Sequence, residues 1–187
     1  MTPRELIDFA TTVGKLKTTY RHCYTEHDRR ESVADHTWRI TLKAMLCKDE
    51  FPEIDILRVM EMCLIHDFGE AVTGDIPAFN KTAVHEDIEG KAIEKLLKTL
   101  PPEKEKELSA LFKEMEALET PEAKLWKALD NMEAVMAHNE SDLSTWLPVE
   151  YEMNLTYGEQ NVAWSEWTKE LKVEINKDTR KKLNSEQ

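Results

Sequence analysis

Apolar residues recur along this chain at helical intervals of three and four, and no run shows the alternation of a half-buried strand. Thr2-Pro3 predicts a first helix, with Thr2 as N-cap and Pro3 at the first helical position, running to about Thr19 through Leu6, Ile7, Phe9, Val13 and Leu16. The stretch from Tyr20 to Val33 is polar and reads as irregular. A second helix is expected from about Ala34 to Lys48, with Trp38, Ile40, Leu42, Met45 and Leu46 on its inner face. A third opens at Pro52-Glu53 and is apolar nearly all round, the mark of a helix at the domain centre. Thr73-Gly74-Asp75-Ile76-Pro77 reads as a loop. Helices are expected over about Ala83–Leu100, Glu103–Leu118 and from Thr120-Pro121 to about Asn139. Two more carry Trp146, Trp164, Trp167, Leu171 and Ile175 before a polar tail. The pattern is all-α in a single domain, 1–187.

At 187 residues the chain suits one compact core. Its 25 basic and 37 acidic residues give a net charge of -12, which argues against a nucleic-acid polymer or an anionic membrane as the main partner. A small phosphorylated substrate needs only a local positive patch. Lys15, Lys17, Arg21, Arg29 and Arg30, with His22 and His27 nearby, offer one, although a solvated polar loop has the same composition. The three cysteines, Cys23, Cys47 and Cys63, show no CxxC spacing and imply neither a disulfide framework nor a structural zinc site. With no signal peptide or membrane span apparent, a cytoplasmic protein is expected.

The third helix ends in Cys63-Leu64-Ile65-His66-Asp67-Phe68-Gly69-Glu70. An ionised side chain at the end of so apolar a run costs several kcal/mol (order of magnitude) unless something compensates it, and a divalent cation would. His36 and Asp130 are further candidate ligands far away in sequence. On a helix, Glu70 lies four residues from His66 and three from Asp67, near the same cleft. Two imidazoles and two carboxylates make a mixed N/O site suited to Mn, Fe, Co, Ni, Zn or Mg, with open positions if the ion is five- or six-coordinate. Such an ion acidifies bound water and polarises a phosphoryl oxygen. Each residue also has a plainer reading. His66-Asp67 resembles a cap or buried ion pair, His36 a hydrogen-bonded, partly buried histidine, and Asp130 a partner for Lys127 or Arg39. His85 and His138 sit on charged helices and are expected at the surface.

The order His36 … His66-Asp67 … Asp130 resembles the H…HD…D pattern of the HD-domain metal-dependent phosphohydrolases. The likeness extends to Glu31-Ser32-Val33-Ala34-Asp35-His36. It also takes in the run from His66 to Pro77, with its Glu70 and Gly74-Asp75, and Thr120-Pro121-Glu122-Ala123 leading to Lys127 and Asp130. These segments are similar to the family's 5′-deoxynucleotidase branch and cover roughly residues 5 to 140, onto which helices over about 141–182 would pack.

The resemblance implies an all-α HD bundle holding one divalent metal through His36, His66, Asp67 and Asp130. The implied reaction is hydrolysis of 2′-deoxynucleoside 5′-monophosphates. Glu70 would activate or position water, Asp75 would act near the leaving oxygen or sugar, and Arg21 would hold the phosphate, for which a planar guanidinium fork suits better than a lysine. The branch usually places a Trp just after this arginine or three residues after it. Here Arg21-His22-Cys23-Tyr24 leaves Tyr24 as the nearby aromatic, a candidate for packing against the sugar. Another small phosphate ester is the alternative substrate, and a non-catalytic metal- or nucleotide-binding protein the third reading. A homodimer is implied as well, for which Trp146, Trp164 and Trp167 are interface candidates if they are not core.

Overall fold

The helices begin where the cap residues stand. A computed structural model describes residues 1–25 and 28–185; of the polar patch, His27 lies outside the described residues. Helix α1 spans Pro3–Val13 and opens on a capping box between Thr2 and Glu5. It is shorter than its apolar pattern predicts. The Thr18 and Thr19 hydroxyls bond the Lys15 carbonyl and a 3-10 turn, Gly14–Lys17, takes over.

The segment expected to be irregular contains a small hairpin, β1 (Tyr20–Tyr24) antiparallel to β2 (Arg30–Ser32). Its register pairs Tyr20 with Ser32 and Tyr24 with Arg30. Apolar alternation could not reveal β1, because its side chains include polar groups that face a cavity rather than a hydrophobic core.

Ser32 caps α2, Val33–Leu46, again with a capping box, to Asp35. Asp55 caps α3, Ile56–Ile65, so that helix starts later than Pro52-Glu53 predicted. A short α4, Glu70–Thr73, ends at Gly74, whose φ of 79° is left-handed and favours glycine. Helices α5 (Ala83–Leu97), α6 (Pro102–Ala117) and α7 (Pro121–Glu140) follow, the last capped by Thr120 with Pro121 at its first position. The C-terminal part forms α8 (Glu150–Thr156), α9 (Glu159–Val162) and α10 (Glu166–Asn184).

The core sits where α2, α3 and α7 meet, around Ile40, Val59, Met62, Cys63, Leu125 and Leu129, all fully buried. The inner face of α2 is Val33, His36, Thr37, Ile40 and Ala44. Trp38, Met45 and Leu46, expected to face inward, are exposed, as are Leu57 and Leu64 of α3. The polar His36 and Thr37 displace them because α2 turns His36 toward the neighbouring helices. Trp146 is buried, while Trp164 and Trp167 pack on Phe51, so these rings serve the core. Gly158 abuts α7: a Cβ there would lie 2.7 Å from the Asn131 Cβ, and its φ is 74°. Among the described residues no helix is long and apolar enough to cross a membrane.

Candidate active site

Three core helices deliver the four predicted ligands to one point. His36 comes from the first turns of α2, His66 caps the C-terminus of α3 with Asp67 next to it, and Asp130 lies midway along α7. His36 Nε2 is 3.2 Å from Asp130 Oδ1 and 3.9 Å from Asp67 Oδ2. His66 Nε2 is 3.0 Å from Asp67 Oδ2 and 3.6 Å from Asp130 Oδ1. Donor atoms bound at about 2.1 Å to one cation stand about 3.0–3.4 Å apart in a tetrahedral or octahedral shell. His36, His66 and Asp67 come close enough together to share one ion, and Asp130 stands beside them, 3.2 and 3.6 Å from the two imidazoles. The His66 Nδ1–H donates to the Cys63 carbonyl at 2.9 Å, which leaves Nε2 with its lone pair facing the cluster. His66 Nε2 and Asp67 Oδ2 are buried without a hydrogen-bond partner. Buried polar atoms left so are rare, and a cation satisfies both at once.

The electrostatics agree. Burial lowers the His36 pKa and keeps that ring neutral, as a ligand must be. Burial works against protonation of His66 too, but the carboxylates of Asp67 and Asp130 override it and push His66 up to about 10. Burial opposes ionisation of Asp67, yet His66 and His36 hold it down to about 2. The cluster therefore attracts positive charge, a proton in the absence of anything stronger. The plainer reading of Asp130 also holds in part: its Oδ2 accepts from Lys127 Nζ at 2.8 Å, while Arg39 turns away to Glu133 and Glu140.

Glu70 opens α4 and is buried, its Oε2 unpartnered. Burial, with Asp67, Asp75 and Glu89 close by, pushes its carboxyl up to about 9. Asp75, in the loop after Gly74, is raised chiefly by burial, against the pull of Arg21. The Arg21 guanidinium is held by Glu31, Nε to Oε2 at 3.0 Å, and stays charged although buried because Glu31, Asp67 and Asp75 surround it. Cys23 donates its thiol to the same Glu31 oxygen at 2.9 Å.

A cavity of about 420 Å³ joins these groups: Arg21, His66, Asp67, Glu70, Asp75 and Asp130 all line it. That volume lies in the range of small-molecule sites. Tyr24 does not line it. Its backbone instead bonds Ser141 on both sides, docking the hairpin on the end of α7. The aromatic rings in the wall are Phe79 and Tyr157. Of the basic patch, Arg21 and His22 reach the cavity; Arg29 pairs with Asp35 and Arg30 donates to the Arg21 carbonyl. His85 does cap a helix near the surface, but His138 is a correction: it lines the cavity and bonds buried Glu150. Lys81 and Lys127, also in the wall, were missed as site residues. Lys81 carries no signal beyond that of any surface lysine, whereas Lys127 was marked by its place three residues before Asp130.

The chain is similar to known proteins along most of its length. A family model described as HD domain matches residues 13–172, which takes in α8, α9 and the first part of α10. The human 5′-deoxynucleotidase HDDC2 is 37% identical over 142 residues, covering 73% of this chain and 68% of that protein. The 5′-deoxynucleotidase hdd1 of Schizosaccharomyces pombe is 31% identical over 159 residues, covering 75% and 79%. The crystal structure of a "predicted metal-dependent phosphohydrolase" from Magnetospirillum magnetotacticum MS-1 superposes with a TM-score of 0.81 at 31% identity, over 97% of this chain and 92% of that one.

Proposed function

The chain belongs to the HD-domain family, and from that membership we propose that it is a metal-dependent 5′-deoxynucleotidase, releasing phosphate from 2′-deoxynucleoside 5′-monophosphates. The observation that carries this reading is the pair of orphaned, buried donor atoms, His66 Nε2 and Asp67 Oδ2, in a four-residue cluster beside a buried arginine.

His36, His66, Asp67 and Asp130 would hold one divalent ion, whose identity the donor set leaves among Mn, Fe, Co, Ni, Zn and Mg. Bound there, it supplies Lewis-acid polarisation of a phosphoryl oxygen and acidifies water. Arg21, fixed by Glu31, grips the phosphate, and Lys81 and Lys127 add positive charge in the same wall. Glu70, whose Oε2 has no hydrogen-bond partner, would take a proton from the attacking water once a cation in the site offsets the neighbouring carboxylates that, with burial, raise its carboxyl. Water oxygen bonds to phosphorus as the ester P–O bond breaks. Asp75, a carboxyl raised toward neutrality, returns a proton to the departing 5′ oxygen, which completes the balance.

A cytoplasmic location fits the composition. A homodimer is supported by the exposed apolar side chains Trp38, Met45, Leu46, Leu57 and Leu64 on α2 and α3, rather than by the late tryptophans.

The test is phosphate release from dAMP, dGMP, dCMP and TMP, their ribo counterparts and dATP, using metal-stripped protein supplied with each ion in turn. The expected result is release from the deoxy monophosphates, abolished by chelator. Release from the ribo set as well would remove the sugar preference. Turnover of dATP alone would replace monoester hydrolysis with triphosphate hydrolysis.

A further inference from the structure

Helix α7 runs along the cavity. Asp130, Ala134 and His138 all line it and are four residues apart, so they share one face. From first to last they span eight residues, about 12 Å of helix. The metal-ligand cluster occupies the Asp130 end. Ala134, with only a methyl group, leaves the middle open. At the far end stand His138, Glu150 and His22.

That far corner is polar, rigid and incomplete. Glu150 is 1% exposed. Its Oε1 accepts the His138 Nε2–H at 2.9 Å and its Oε2 the Leu147 amide at 2.6 Å. Burial opposes its ionisation, but these two donors hold the carboxyl below its ordinary range. The other ring nitrogen of His138 meets the Ala134 carbonyl at 2.8 Å, so the imidazole is clamped from both sides. His22 enters the corner from β1, edge-on to the Phe79 ring with centroids 5.8 Å apart. Its Nε2 is buried, has no hydrogen-bond partner and lies 3.6 Å from Glu150 Oε1. Facing a carboxylate oxygen favours the tautomer with hydrogen on that nitrogen, yet 3.6 Å is too long for a hydrogen bond. A donor and an acceptor thus stand side by side, each with unused capacity.

We propose that this corner is a nucleobase-recognition subsite, in which His22 donates to a ring or carbonyl acceptor on the base edge and Glu150 accepts from the adjacent N–H. Every natural base carries an acceptor next to an N–H donor on its pairing edge, so the subsite selects for a base over none and discriminates weakly among bases. The sugar hydroxyls lie too close to the phosphate to reach across two turns of α7. His138 is a positioning residue that fixes Glu150. The assignment rests on the proposed reading that phosphate sits at the cluster end.

The experiment measures two quantities on wild type, His22→Phe and His22→Asn, each first shown to keep its far-UV spectrum. One is the Kd of deoxyadenosine, which has no phosphate, by calorimetry. The other is the ratio of kcat/KM for dAMP to that for 2-deoxyribose 5-phosphate. His22→Phe should weaken deoxyadenosine about tenfold and lower the ratio similarly, through KM, as expected when one buried hydrogen bond is lost. His22→Asn, which restores an N–H, should recover part of both. An unchanged Kd and ratio in His22→Phe would overturn the subsite even if phosphate release proceeds. Equal loss on both substrates through kcat would overturn it too, by making His22 structural. Deoxyadenosine binding that depends on His22, in a protein releasing no phosphate, would uphold the subsite and sink the deoxynucleotidase reading instead.

Discussion

Two carboxylates of helix α7, Asp130 and Glu133, stand one turn apart, and the protein treats them differently. Glu133 is 0% exposed, and both of its oxygens accept from cations on α2, one from Arg39 and the other from Lys43. Asp130 bonds Lys127 and His36, but the cluster it joins leaves His66 Nε2, Asp67 Oδ2 and Glu70 Oε2 unpartnered. A buried charge satisfied within the protein ties two helices together. A cluster whose donors point at one another without satisfaction is arranged for something else to enter. The contrast separates a structural ion pair from a binding site more sharply than burial alone.

The comparison breaks most visibly at Asp67. Asp67→Ala should lower kcat by about 10³-fold, beyond the ~10–100-fold typical of outer partners, and should strip the metal in elemental analysis while far-UV dichroism stays near wild type. An active Asp67→Ala protein would mean the ligand set is wrong. Glu70→Gln should keep the metal and lose ~10²–10⁴-fold in kcat, the range of a general base. Loss of metal in that variant would place Glu70 among the ligands.

One turn along α7, Glu133→Leu should cost about 3 kcal/mol of stability in urea unfolding, because Arg39 and Lys43 are left without their buried partner, yet metal content should not change. A variant as stable as wild type would show that water compensates both cations.

Proton and metal should also compete. The folded pKa of His66, about 10 without metal, lies above the unfolded value of ~6.5. Its contribution to the stability of metal-stripped protein is therefore fully present below pH 6.5 and is lost as pH rises through about 10. Metal-stripped protein should melt lower at pH 8.5 than at pH 6, whereas the metal-loaded form should not show that fall. Identical pH trends for the two forms would detach His66 from the metal.

The smallest effect belongs to Tyr24. Tyr24→Phe should change kcat/KM for dAMP by less than about twofold, since the ring is outside the cavity wall. A larger loss would bring that ring back to the substrate.

Much of this was legible locally. Thr2 and Thr120 mark helix starts because a side-chain oxygen there satisfies an otherwise free amide, a rule needing only a few consecutive residues, whereas Pro52-Glu53 drew the expected start of α3 away from its true cap, Asp55. His66-Asp67 stood out because ionisable groups closed an apolar run. The hairpin was hidden, since Arg21, His22 and Cys23 of β1 all line the cavity and leave no apolar alternation to read. Trp38 misled for the opposite reason: helical spacing gives two faces, and hydrophobicity chose the wrong one.

His85 and His138 make the division plain. Both sit on charged helices with the same local signal, and one caps α5 near the surface while the other is clamped in the cavity wall. The residues of a single helix determine its period, its ends and its chemical groups, and these the sequence carries by itself. The cavity is walled by β1, the loop after α4, α7 and α8, which supply Arg21, Asp75, Asp130 and Glu150. Only the packing of those elements decides which groups face one another, because burial and electrostatics are set by neighbours distant along the chain.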